Sequence, residues 1–150
     1  MATPGYVIEH PNRATAASRT TKAIVVVLLV ASAVVVAIVT VGGWAAIAGA
    51  KALQVAYIVL YLAVAAFVAR WNRGLLPVAS ALAVVLLIFA AVAAPAWLDR
   101  DRDGFSDPAL DAGLLGVLTF VLVPLQVLLV AFALRGFRQR WNVEVERPAP

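Results

Sequence analysis

Four long apolar runs alternate with short charged segments along the chain. No charge occurs between Lys22 and Lys51, an interval of 28 residues, and 18 uncharged residues follow from Ala52 to Ala69. Leu75–Leu98 and Ala112–Leu134 carry no charged side chain either. A membrane-crossing helix needs about 20 apolar residues at a rise of about 1.5 Å each. The stretch Ile24–Val30 is rich in valine and strand-like by propensity. In hydrocarbon an open strand leaves its N–H and C=O groups unpaired at several kcal/mol each, so helices are expected. The pattern predicts spans over about 23–42, 46–69, 75–98 and 109–135.

Local signals refine these limits. Gly42-Gly43 suits a turn, and Lys51 reaches the interface with its stem along the second span. Arg70-Trp-Asn-Arg-Gly74 reads as a short basic turn. Pro77 falls in the first turn of the third span, where its missing N–H costs little, and Pro95 loosens the last turn. Asp107-Pro108 resembles a helix start, a capping carboxylate before a first-turn proline. Pro124, within the fourth span, is expected to kink it and free the Phe120 carbonyl.

The flanks are polar. Residues 1–22 read as a disordered basic tail closed by Arg13, Arg19 and Lys22. A cleaved signal peptide is the rival reading, because Ala48-Gly49-Ala50 resembles a cleavage box. Its apolar core is expected to run about 7–15 residues, and the core here is longer. Residues 136–150 read as a basic interfacial tail; Arg135 at its edge, with Arg138 and Arg140 around Phe137 and Trp141, suits a headgroup region. Asn142–Glu146 alternates like a strand and is read as coil or a docking strand, since a lone strand is unstable.

Composition supports the membrane class: 64% of residues are hydrophobic, 13% are charged, and the mean hydropathy is +0.97. Soluble domains average about 45–50% apolar and about 25% charged. The sequence pI near 10.1 invites a nucleic-acid reading, but the cations are dispersed at the ends of apolar runs, where they set orientation instead. With no cysteine and one histidine, His10, in the polar tail, thiolate metal sites, Cys nucleophiles and His-based zinc clusters are excluded. No nucleophile with a base and no phosphate loop is visible, so an enzyme is not expected.

Sidedness follows from charge. With the N-terminus inside, the inner segments carry nine Lys/Arg and the outer ones three, Lys51, Arg100 and Arg102. That asymmetry obeys the positive-inside rule. Trp44, Trp71, Trp97 and Trp141 all fall at span ends, as aromatic belts do. The predicted fold is an all-α membrane protein: an antiparallel four-helix transmembrane bundle in the plasma membrane, both termini cytoplasmic and the 99–108 loop extracytoplasmic. Ala33/Ala37, Ala65/Ala69, Ala79/Ala83 and Ala90/Ala94 are small pairs that allow close helix approach.

Two sets of residues carry candidate chemistry. Gln54, Tyr57 and Tyr61 share a face of the second span, and Thr119 and Gln126 a face of the fourth. They read as interhelical hydrogen bonds, with a polar solute path as the rival. No ionisable residue occupies a span centre, which argues against a proton-coupled exporter. The loop Asp99–Asp111 holds five of the eight acidic residues. Asp99, Asp101, Asp103 and Gly104 match the opening of the calcium motif D-x-[DN]-x-[DN]-G. The loop therefore resembles an EF-hand-type calcium site, which implies ligands from Asp99, Asp101, Asp103, the Phe105 carbonyl and Asp107. Leu110 stands where a bidentate Glu belongs, so only weak binding is expected, in the range of about 10⁻⁴–10⁻³ M. The simpler reading is a solvated loop in which Asp107 caps the fourth span and Asp111 favours its dipole.

Together these features point to a structural or accessory subunit, partnered by the lipid bilayer and by a second copy or a larger membrane protein. The alternatives are an oligomeric channel or carrier for a neutral or lipid-like solute, and a membrane protein modulated by calcium at its loop.

Overall fold

The computed structural model describes residues 2–100 and 108–150. It is mostly helical, and four of its helices are long and apolar enough to cross a membrane. These are α2 (Ala16–Gly42), α3 (Lys51–Ala69), α4 (Leu75–Asp99) and α5 (Ala112–Arg138). Before them come β1 (Tyr6–Glu9) and a single turn, α1 (Pro11–Ala14); after them comes β2 (Val145–Pro148). Such a chain is a multi-pass membrane protein. Its helices expose large apolar side chains outward, Val27, Val59, Val92 and Phe120 among them, as lipid-facing helices do.

The helices bury a seam at alternating spacings of three and four. On α5 it runs through Ala112, Leu115, Thr119, Leu122, Gln126, Leu129, Ala133 and Gly136. This spacing keeps one stripe facing a neighbour under slight left-handed supercoiling. Helix α5 lies between α2 and α4, and α3 packs on α2, whereas α3 and α4 touch sparsely. Of the small pairs, Ala79/Ala83 and Ala90/Ala94 are all buried on α4, Ala33 is buried with Ala37 half-buried, and Ala65 is buried while Ala69 is exposed.

Four boundaries differ from the sequence reading by three residues or more: the starts of α2, α3 and α5, and the end of α5, at Arg138 rather than about 135. Helix α2 starts at Ala16, because the Thr15 hydroxyl accepts the Ser18 N–H at 3.2 Å and so satisfies an orphan donor of the first turn. Helix α3 starts at Lys51, after turns through Trp44–Ala50. The start of α5 is Ala112, capped by Asp111, whose carboxylate accepts the Leu114 N–H at 3.0 Å; Pro108 lies outside the helix, and Asp107 lies outside the described residues.

The N-terminal tail, expected to be disordered, forms β1 and α1, and the C-terminal tail, read as coil or a docking strand, forms β2. β1 pairs antiparallel with β2, Tyr6 opposite Pro148 and Glu9 opposite Val145. Two strands alone are marginal. Here side chains add to the ladder: Arg147 Nε lies 3.0 Å from a Glu9 carboxylate oxygen, and Thr3 Oγ1 donates to Glu146 at 3.1 Å. Both ends of the chain thus lie together, beside the start of α2 and the end of α5.

This end is held by cations and dipoles directed at helix carboxyl ends. Lys22 Nζ donates to the Ala69 carbonyl at 3.2 Å, Arg73 Nε to Phe137 O at 2.7 Å, and Arg13 Nε to Trp141 O at 2.8 Å. Orphan carbonyls and the negative dipole end favour cations there. Trp71 ends α3 in the left-handed region at φ 67. Its N–H bonds Val68 O, and the Asn72 N–H bonds Phe67 O, which is a Schellman closure normally built on glycine. The Trp71 ring offsets that strain by packing edge-on against Trp141 at 5.2 Å and under Lys22 Nζ at 4.1 Å.

The tryptophans do not form the exposed aromatic belt expected of them. All four rings do lie at helix ends, but Trp141 and Trp97 are buried in the protein and Trp71 is half-buried, leaving only Trp44 well exposed. Trp141 is a core residue here rather than a headgroup anchor, because its ring packs edge-on against Trp71 and beside Gly136 within the main core.

Candidate functional site

Five polar side chains on two helix faces were expected to meet or to line a path, and the structure divides them into two groups. The first is a buried knot. Tyr61 Oη donates to Gln126 Oε1 at 2.7 Å, and Gln126 Nε2 donates to Ser32 Oγ at 2.9 Å. All three residues are fully buried, and they join α3, α5 and α2. In a low-dielectric interior such bonds are worth about 0.6–2 kcal/mol each. Ser32 has no place in the sequence reading. Depth gives its signal: Ser32 lies ten residues beyond Lys22, Tyr61 nine before Arg70, and Gln126 nine before Arg135. At about 1.5 Å per residue each is about 15 Å from the cationic end, half the thickness of the hydrocarbon. Equal depth on three helices brings them together.

The second group lines a cavity. Thr40 Oγ1 lies 2.6 Å from both Val36 O and Gln54 Oε1. Its single hydroxyl proton is shared between these two acceptors, so the Gln54 carboxamide oxygen faces Thr40 and its NH₂ points away from it. Tyr57 Oη donates to the Leu82 carbonyl of α4 at 3.2 Å. Thr119 does not meet the α3 face at all; its hydroxyl donates to Leu115 O of its own helix at 2.7 Å. Gln54, Tyr57 and Thr119 thus share one cavity of about 270 Å³, walled otherwise by apolar residues including Val36, Leu86, Ala90, Ala93 and Leu122. A shallower hollow of about 420 Å³ continues from it toward the end away from the termini, past Ile47, Ala96 and Arg100.

The cavity lies where α3 and α4 touch sparsely. A Cβ at Gly43 would come 2.6 Å from the Trp97 ring, and one at Gly116 2.8 Å from the Leu98 side chain. Those glycines let Trp97 and Leu98 settle against α2 and α5 (close approach is what glycine permits), and the space beside α3 stays open.

The acidic loop is described only at its edges. Asp101, Asp103, Phe105 and Asp107 lie outside the described residues. Asp99 ends α4, and Asp111 is engaged as the α5 cap. Leu110, at the twelfth position of the calcium register, faces inward: its N–H donates to Gly42 O at 3.1 Å, and its side chain packs over Gly42. Among the described residues no three His, Cys, Asp or Glu side chains gather.

Comparison of the chain with protein-family models, with curated proteins and with solved structures returns no match.

Proposed function

We propose that the protein is a small accessory subunit of the plasma membrane. It is an antiparallel four-helix bundle with both termini cytoplasmic, and it packs laterally against a second copy or a larger membrane partner. One contrast carries this reading. The alanine stripe of α4 is buried inside the protein, whereas α3 turns a second stripe outward. Ala52, Ala56, Val59, Ala63 and Ala66 follow spacings of four and three, and every one is exposed. Small residues at that spacing let another helix approach closely enough for dispersion and Cα–H···O contacts to accumulate. The intramembrane polar groups support the same reading, since the Tyr61–Gln126–Ser32 bonds are used within the bundle.

Orientation rests on the excess of Lys/Arg on the side of the termini, nine against three, and on the way that side directs cations to helix carboxyl ends. Neither catalysis nor a bound cofactor forms part of this proposal.

Oxidative cross-linking in native membranes tests the lateral contact. Ala56→Cys or Ala63→Cys is expected to give a discrete cross-linked species of fixed size, while Val84→Cys, exposed on α4, gives none. A monodisperse monomer after mild extraction, with no cross-link at either α3 position, would sink the reading.

A further inference from the structure

We propose that the cleft between α3 and α4 is a binding site for a single-chain amphiphile, a molecule with one hydrocarbon tail and a small polar head. The inference stands on the cleft alone and does not depend on lateral packing through the outer face of α3.

The dimensions come first. The α4 wall runs from Leu86 to Trp97, eleven residues on or about 16 Å at helical rise. One leaflet of the hydrocarbon core is about 15 Å, half of its full thickness. The inner end of the cleft lies at Leu86 and Leu122. Leu122 is one turn from Gln126 of the mid-depth knot, so the cleft spans one half of the membrane and stops. At about 270 Å³ it lies just below the usual range for small-molecule pockets, about 300–1,000 Å³. A slender chain suits that volume and a pair of chains does not.

Access and polarity fix the class of occupant. Leu53, Phe89 and Val92 line the cleft and are also exposed on the outer surface of the bundle, so the cleft opens sideways toward lipid. What enters that way carries hydrocarbon, and leaving the walls uncovered would forfeit their dispersion contacts. Polarity is graded along the length. Deep in the cleft, the Tyr57 and Thr119 hydroxyls already donate to backbone carbonyls, which leaves an apolar surface for a tail. Near the mouth, Gln54 accepts from the Thr40 hydroxyl through its Oε1 and keeps its NH₂ for a ligand. It is the polar side chain common to the cleft and the outer hollow. A head with hydrogen-bond acceptors, such as a carboxylate or a phosphoester, fits that position.

The test uses the full chain in phosphatidylcholine vesicles with a palmitic-acid probe carrying a diazirine near its terminal methyl. Photolabelling is expected to saturate with probe, to concentrate on residues of the inner cleft such as Leu86 and Leu122, and to be competed by unlabelled palmitic acid. Ala93→Phe, which fills the cleft, is expected to abolish it. Ala91→Phe, exposed beside the cleft but not lining it, is expected to leave it intact. Should Ala93→Phe fail to fold, judged by its thermal unfolding, Ala96→Phe at the lip is read in its place. Labelling that never saturates, that persists in the folded filling variant, or that is matched by a two-chain phosphatidylcholine probe would overturn the proposal and mark ordinary boundary lipid.

Discussion

Gln126 shows how a single carboxamide can tie three helices together, with its oxygen toward Tyr61 and its nitrogen toward Ser32. Removing it leaves two hydroxyls buried without partners. Gln126→Leu is therefore expected to lower stability by about 1–3 kcal/mol, measured by denaturant unfolding in detergent. The triple variant Gln126→Leu, Tyr61→Phe, Ser32→Ala is expected to recover part of that loss, because no orphan remains. If the triple loses as much as the sum of the single changes, the three side chains act independently and the knot is not a unit. Ser80 is the opposite case: its Oγ is buried with no hydrogen-bond partner among the described residues. Ser80→Ala is expected to leave the melting temperature unchanged or raised, and a clear fall would mean that the hydroxyl is used. The polar faces of α3 and α5 were legible from helical spacing. Their partners on α2 were not, because Ser32 and Thr40 are short side chains that helices tolerate anywhere, and only depth counted from the cationic ends reveals which of them meet.

Elements were legible as long as hydrocarbon dictated them, and less so at their ends. Four apolar runs became four helices, but Thr15 and Asp111 set starts that the apolar pattern alone placed elsewhere. Asp111→Ala is expected to cost about 1 kcal/mol through the lost cap, read from thermal unfolding. The glycines act on the next level, how the elements approach. A Cβ at Gly116 would meet Leu98 at 2.8 Å, whereas nothing lies within 4 Å of one at Gly49. Gly116→Ala is expected to destabilise by about 1–3 kcal/mol and Gly49→Ala to be silent; equal effects would contradict the tight approach of α4 to α5. The β1–β2 ribbon could not be read locally, because its strands pair across almost the whole chain. The alternation at Asn142–Glu146 hinted at a strand but named no partner. The loop that resembles a calcium site ends on Leu110, which is turned toward Gly42 rather than outward. Calcium at several millimolar is accordingly expected to leave thermal unfolding unchanged, and a reproducible rise in melting temperature would restore the metal reading.

At the scale of the molecule, two asymmetries organise everything else. One end carries both tails, the ribbon, the Arg70–Gly74 turn and most of the cations; the other carries the turns through Trp44–Ala50 and the described edges of the acidic loop. Between them α2, α3 and α5 are tied at mid-depth, and the cleft opens in the half away from the tails. Charge made this polarity legible in the sequence. The tryptophans supported it for a reason that the burial of Trp97 and Trp141 does not sustain. Neither the cleft nor its lateral opening could be read from sequence, since both come from the sparse packing of α3 on α4, which helical spacing does not give. The most direct measurement is compartment labelling. The chain has no cysteine, so Ala48→Cys, Ala109→Cys and Ala149→Cys each report one site. In intact cells a membrane-impermeant maleimide is predicted to modify residues 48 and 109, and to reach 149 only after permeabilisation. Modification of all three from the same side would contradict the four crossings on which the account depends.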